Sequence, residues 1–153
     1  GKLDNGEFNI SKYVFGACSA AAFYRRTMLE DIKEDAGYFD ERFFFLVEDV
    51  DLAWRAQRRG WRALYCPEAI CSHYGNSSLS NKVLRQFLCW RNRKLMLKKC
   101  RLNRFKLVII YLFYDLPRIV ALLLTNSYVR KAILNKNDIT TNIKKNKFTE
   151  LQG

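Results

Sequence analysis

The chain has 153 residues, of which 49% are hydrophobic, 14% aromatic and 27% charged. That is the length of one ordinary domain and a globular composition, without a low-complexity block or an internal repeat. The formal net charge of +12 is uneven: residues 1–80 hold 10 Lys/Arg against 12 Asp/Glu, and residues 81–153 hold 17 against 3. The second half therefore calls for an anionic partner, either a phospholipid surface or a nucleic acid.

The opening "GKLDNGEFNI" is polar, so no signal peptide is expected. Residues 12–24, "KYVFGACSAAAFY", predict a strand, a small-residue turn and a second strand or helix start. Gly16 there would let backbone or ligand approach closely. Residues 26–36 predict a helix that Gly37 stops. A loop, "GYFDER", leads into the apolar run "FFFLV", which is expected to be buried and strand-like. From Glu48 to Arg59 the pattern is helical, with Val50, Ala53, Trp54 and Gln57 on one face, Leu52 and Ala56 beside it, and Gly60 as the stop. Asp51 and Arg55 form an i,i+4 pair. "WRALYC" predicts a short strand that Pro67 turns, so strands are expected near 13–18 and 62–72. The five cysteines include no CxxC pair and are expected to be free thiols. A zinc site from Cys66, Cys71 and His73 has no common spacing.

Residues 80–100 predict a basic amphipathic helix with Leu84, Phe87, Leu88 and Leu95 near one side. Residues 105–124 are apolar nearly all round, but Asp115, Pro117 and Arg118 interrupt them. A kinked helix or helix pair lying in a membrane interface fits that pattern better than a straight span. The expected division is residues 1–80, a basic helical membrane-associating region 81–136, and a loose polar tail 137–153.

Glu48, Asp49 and Asp51 sit directly behind the apolar run. Acids in a first helical turn offset the positive end of the helix dipole, which is the structural account of such a cluster. The functional account is that carboxylates leaving a buried segment face a cleft. His73, the single histidine, also follows an apolar segment and could hold a metal or simply sit at the surface.

In order, "GACSAAAFYRR", "GYFDERFFFLVEDVDLAWRAQRRGW" and "YCPEAICSHYGNSS" resemble the second half of family 2 glycosyltransferases, in particular the rhamnosyltransferase-like branch. The resemblance covers roughly residues 11–80, with an echo in "FLCWRNRKLMLKK". It implies an α/β fold, part of a nucleotide-diphospho-sugar transferase (GT-A) layer followed by amphipathic and apolar helices. It implies inverting transfer of a sugar from a nucleotide-sugar donor to a hydroxyl of a glycan or lipid-linked acceptor in surface polysaccharide synthesis. Asp49 takes the position of the catalytic base and Glu48 that of its partner. The transition state would resemble an oxocarbenium ion. His73 would help hold a divalent metal, Mg or Mn, against the leaving diphosphate. Gly16, Ala17 and Cys18 would line the acceptor side, and Asp51 and Arg55 would start the helix, form a salt bridge and meet acceptor sugar.

The family's nucleotide-binding half and its early Asp-x-Asp have no counterpart before residue 40. The expectation is therefore a C-terminal piece or one part of a split gene, with the N-terminal half as a further partner, in the same polypeptide or as a separate chain. Some 80 globular residues bury little core without it. The expected location is the cytoplasmic face of the membrane, peripherally attached. The alternatives are an inactive fragment or interaction domain, and a basic nucleic-acid-binding module. Nucleic acid is not the expected partner, because the run at 107–114 is too apolar for a wet groove.

Overall fold

The computed structural model describes residues 5–72 and 82–134. The first span carries strand β1 (Lys12–Val14), helix α1 (Arg26–Asp31), helix α2 (Glu48–Arg58) and strand β2 (Ala63–Tyr65). The second carries helices α3 (Lys82–Lys99), α4 (Arg104–Ile110), α5 (Leu116–Thr125) and α6 (Ser127–Leu134). β1 and β2 pair antiparallel with Tyr13 opposite Leu64. The fold is mixed α and β, mostly helical, and its sheet has two strands among the described residues.

Both strands are shorter than the apolar runs suggest. β1 stops short of Gly16, which packs against α2 so closely that a Cβ there would lie 2.3 Å from the Ala53 Cβ. β2 stops short of Pro67, which has no N–H to extend a ladder. α1 ends at Asp31 rather than 36, because Glu34 and Gly37 exchange backbone hydrogen bonds of 3.2 and 2.8 Å in a tight turn.

α2 starts at Glu48 as its acids indicate, but its buried face is not the expected one. Val50 and Gln57 are exposed, and the inward residues are Asp51, Leu52, Ala53, Arg55 and Ala56. Leu52 and Ala56 pack on Met28 and Ile32 to form one small core. Asp51 and Arg55 go inside because their charges are matched there. Arg55 Nε meets Asp51 Oδ2 at 2.9 Å, and its other nitrogens donate to the Ile32 and Tyr38 carbonyls at 2.6 Å each. Lys99, the last residue of α3, completes the arrangement at 2.8 Å from Asp51 Oδ1. The same ammonium reaches Glu34 at 2.7 Å and Asp40 at 3.2 Å. This network fastens α2, the 32–40 loop and α3 to one another.

The second core lies on α3. Leu84, Phe87, Leu88 and Trp90 pack with Leu122 of α5 and Val129 of α6, and Phe44, Phe45 and Leu46 lean on them. Phe87 and Trp90 are buried here, so neither is available to a lipid surface. Buried Asn126 holds the corner: its Oδ1 accepts from the Tyr128 and Val129 amides, and its Nδ2 donates to the Val83 carbonyl at 2.7 Å.

α4 and α5 form one continuous helical run, Arg104–Thr125, joined by a wide π turn at Tyr111–Asp115. Pro117 explains the turn. Its ring would strike the carbonyl four residues back in a regular helix, and a widened turn relieves the clash without breaking the run.

A charged group left without its counter-ion inside a protein costs more than the pair gains. Lys99→Met should therefore lower the unfolding free energy by about 3 kcal/mol, while an exposed lysine such as Lys98→Met should change it by less than about 0.5 kcal/mol. Denaturant titration of both variants beside the parent checks this.

Candidate active site

The acid pair is delivered by an unusual turn. "FFFLV" does not form the expected strand. Phe44, Leu46 and Val47 all have positive φ, at 62°, 69° and 74°. Such angles are rare for bulky and β-branched residues and cost of order 1–3 kcal/mol each, so surrounding contacts must hold them. α3 supplies those contacts. The fully buried Asn92 places its Nδ2 within 2.9, 2.8 and 2.6 Å of the Phe43, Phe45 and Leu46 carbonyls. Arg91 beside it donates to the Arg42 and Phe43 carbonyls and to Asn92 Oδ1. A strand needs those carbonyls for a neighbouring strand; here a helix side chain takes them.

The turn ends in Val47, which caps α2 without a side-chain hydrogen bond, and Glu48 and Asp49 follow as its first residues. Asp49 is half-buried, and its Oδ1 accepts from the Val50 amide at 2.8 Å. Glu48 is also half-buried. Its Oε2 is sealed from solvent and has no hydrogen-bond partner among the described residues. Burial pushes the Glu48 carboxyl above the usual carboxylate range; its own backbone amide pulls it down, and the Asp49 charge adds to the rise. Capping explains Asp49 in part. It does not explain Glu48, because an acid that only offset the helix dipole would keep its hydration.

The remaining expected site residues are placed as follows. Gly16 is pressed against Ala53, so its lack of a side chain serves helix packing. Ala17 is half-buried and Cys18 exposed, ahead of a short 3-10 turn at Ser19–Ala21. The Asp51 and Arg55 side chains are 0% and 6% exposed, so an acceptor sugar has no surface of theirs to touch in this arrangement. They are scaffold, which is the salt-bridge half of their expected role. His73 lies outside the described residues. Among the described residues no three His, Cys, Asp or Glu side chains converge as a metal site. Glu48 and Asp49 alone fall short of the six or so oxygen ligands a Mg-type ion takes. All five cysteines are free. Cys66 donates to the Glu68 carboxylate at 3.1 Å.

Asn92 and Lys99 are the positions that sequence reasoning missed. They lie seven residues apart on one face of α3, and one holds the turn before the acid pair while the other holds α2 behind it. A polar residue in the middle of the apolar face "FLCWRN" was the available signal.

A family model described as "Glycosyltransferase like family 2" matches residues 3–92. Two curated relatives are N-acetylglucosaminyl-diphospho-decaprenol L-rhamnosyltransferases from two strains of Mycobacterium tuberculosis. Each is 47% identical over 38 residues, which is 25% of this chain and 12% of the relative. The chain thus matches a small share of the length of those relatives. No solved structure matches.

The raised Glu48 carboxyl has a consequence for stability with a definite sign. A carboxyl whose folded pKa lies above its unfolded value favours the fold while it is protonated. That contribution is complete below the unfolded pKa of about 4.3 and is lost as pH rises through the folded pKa. Glu48→Gln should therefore raise the melting temperature at pH 7–8, and the gain should shrink toward zero near pH 4. Melting curves of both proteins across that range measure it.

Proposed function

The chain belongs to glycosyltransferase family 2, and on that premise we propose that it is the acceptor-side, C-terminal portion of an inverting sugar transferase. The substrates are a nucleotide-sugar donor and a hydroxyl on a glycan or lipid-linked acceptor. The observation that carries this reading is the Glu48–Asp49 pair. Two adjacent carboxylates stand at a helix start, one of them half-buried with an oxygen that has no hydrogen-bond partner among the described residues, on a turn whose strain is upheld by a buried asparagine. Strain upheld in this way is concentrated at working sites.

The chemistry needs a proton acceptor. A sugar hydroxyl is a poor nucleophile, and it attacks the anomeric carbon as its proton leaves. Asp49, the more hydrated of the two, takes that proton. Glu48 keeps a second negative or protonatable group beside it, whose higher affinity for protons suits it to share the one Asp49 accepts. The diphosphate departs from the opposite face of the sugar, so the anomeric centre inverts. Donor binding falls to a nucleotide-binding half, supplied in the same polypeptide or by another chain. A divalent metal on the diphosphate would neutralise charge there, and His73 is the residue of this chain proposed to reach it.

We also place this portion on an anionic membrane surface. Arg104–Thr125 is long and apolar enough to cross a membrane by length and composition, and only 6% of it is buried. Its middle is tied to a charged helix, however: Asp115 pairs with Arg93 of α3 at 2.7 Å, and α3 also carries Arg85, Arg91, Lys94, Lys98 and Lys99. A span would draw those charges into hydrocarbon at about 2.5–3.5 kcal/mol each near the centre. An interfacial position lets Phe105, Phe113 and Leu124, all strongly exposed, enter the bilayer while α3 stays in the headgroups.

Two experiments test these readings. In a polypeptide that joins this chain to its nucleotide-binding half, Asp49→Asn should lower turnover at saturating substrates by about 100- to 10,000-fold with little change in melting temperature. Asp51→Asn should do the reverse, lowering stability through its buried ion pairs and leaving the rate per folded molecule close to normal. Near-normal turnover in Asp49→Asn would return that residue to helix capping alone. For the membrane, the chain should float with anionic vesicles and leave them in high salt or carbonate; retention through both washes would make Arg104–Thr125 a true span.

A further inference from the structure

A concavity among the described residues lies away from the acid pair. It is a cleft of about 460 Å³ between the C-terminal ends of α2 and α3 and the 32–34 loop, and neither Glu48 nor Asp49 lines it. Its floor is electrically balanced. Arg55 and Lys99 are matched there by Asp51, Asp40 and Glu34, and the exposed Arg42 also pairs with Asp40. Its rim is not balanced. Lys33, Arg58, Arg59 and Arg101 stand around the opening. Of these only Arg59 reaches a carboxylate among the described residues, Asp31, and only at 3.7 Å. Arg58 lies flat on the Trp54 ring at 4.9 Å and Lys33 over the Tyr38 ring at 5.1 Å, contacts that fix the side chains without neutralising them.

Cations in last helical turns offset the negative end of the dipole, and that is the ordinary account of Arg58. It does not reach Lys33, on the loop after α1, or Arg101, beyond the end of α3. Arg101 is also held at φ 48°, an angle that costs a non-glycine residue energy. A neutral floor under a cationic rim with two arginine forks suits an anion with several oxygens.

We propose that this cleft is a binding site for a phosphate or diphosphate group. The chemistry is shared by a soluble phosphate compound and by the headgroup of a phosphate-bearing lipid. Arg101 precedes the exposed apolar run that begins at Arg104 by only three residues, which favours the lipid. The site is separate from the proposed transfer chemistry and stands whether or not Asp49 is the base.

The test uses the full chain and two probes, inorganic pyrophosphate and vesicles of phosphatidylcholine containing phosphatidic acid. Pyrophosphate titration at physiological salt, followed by calorimetry, should saturate with one site per chain. Arg58→Gln combined with Arg101→Asn should weaken it by about tenfold or more, as expected for lost charge-assisted hydrogen bonds; Asn is chosen at 101 because it tolerates the left-handed backbone. Arg104→Gln combined with Lys106→Gln removes the same charge outside the cleft and should leave the affinity unchanged. Absence of saturable binding in the parent chain, or equal weakening by the two double variants, overturns the site. If pyrophosphate displaces the chain from phosphatidic acid vesicles, and the cleft variant no longer responds, the headgroup occupies the cleft. If it binds without displacing, the natural ligand is soluble.

Discussion

The carboxylate of Asp51 is the point from which the arrangement is built. It is fully buried on α2, a place where an unpaired charge would cost several kcal/mol. Two cations approach it from different parts of the chain: Arg55 from one helical turn along, and Lys99 from the far end of α3. Arg55 spends its remaining donors on the Ile32 and Tyr38 carbonyls, and Lys99 its remaining reach on Glu34 and Asp40. The Asp40 carboxyl is held well below the usual carboxylate range by the Arg42 guanidinium beside it, with Lys99 adding to the effect. A core this small has little apolar area to contribute. Charge matching in its interior is what fixes the angle between α2 and α3.

That fixed angle matters because α3 also carries Asn92. From one helix face, Lys99 anchors the body of α2 and Asn92 anchors the turn that leads into it. The turn has residues at φ 62°, 69° and 74°, and Asn92 holds it by the Phe43, Phe45 and Leu46 carbonyls. The result is a helix start at which Glu48 is half-buried, with its Oε2 sealed from solvent and without a hydrogen-bond partner among the described residues. Such a placement costs stability and raises the Glu48 carboxyl above the usual carboxylate range, chiefly through burial.

The apolar run after α3 follows the same logic on a larger scale. Asp115 and Pro117 would end a regular helix in its middle. The π turn accommodates the proline, and Arg93 neutralises the acid from α3. The run therefore stays continuous with most of its surface exposed, lying beside the basic helix.

The sequence by itself determined the helices, the family and the acid pair, and for a physical reason. Helical periodicity, the dipole preference of Glu48 and Asp49 and the compound motif order are all local in the chain. Thus α2 begins at Glu48, and α3 spans Lys82–Lys99 close to the range its periodicity gives. The tertiary structure decided what local patterns cannot carry. It turned "FFFLV" from a strand into a strained turn, because Asn92, some 46 residues away, takes its carbonyls. It sent Asp51 and Arg55 inward and Val50 outward, against the hydrophobic pattern, because Lys99 arrives from a distant helix to balance the charge. It also took Phe87 and Trp90 away from any lipid by covering them with α5 and α6. Hydropathy describes each residue's preference for water, but where a charge or an aromatic ring comes to rest depends on partners that only the folded chain brings near.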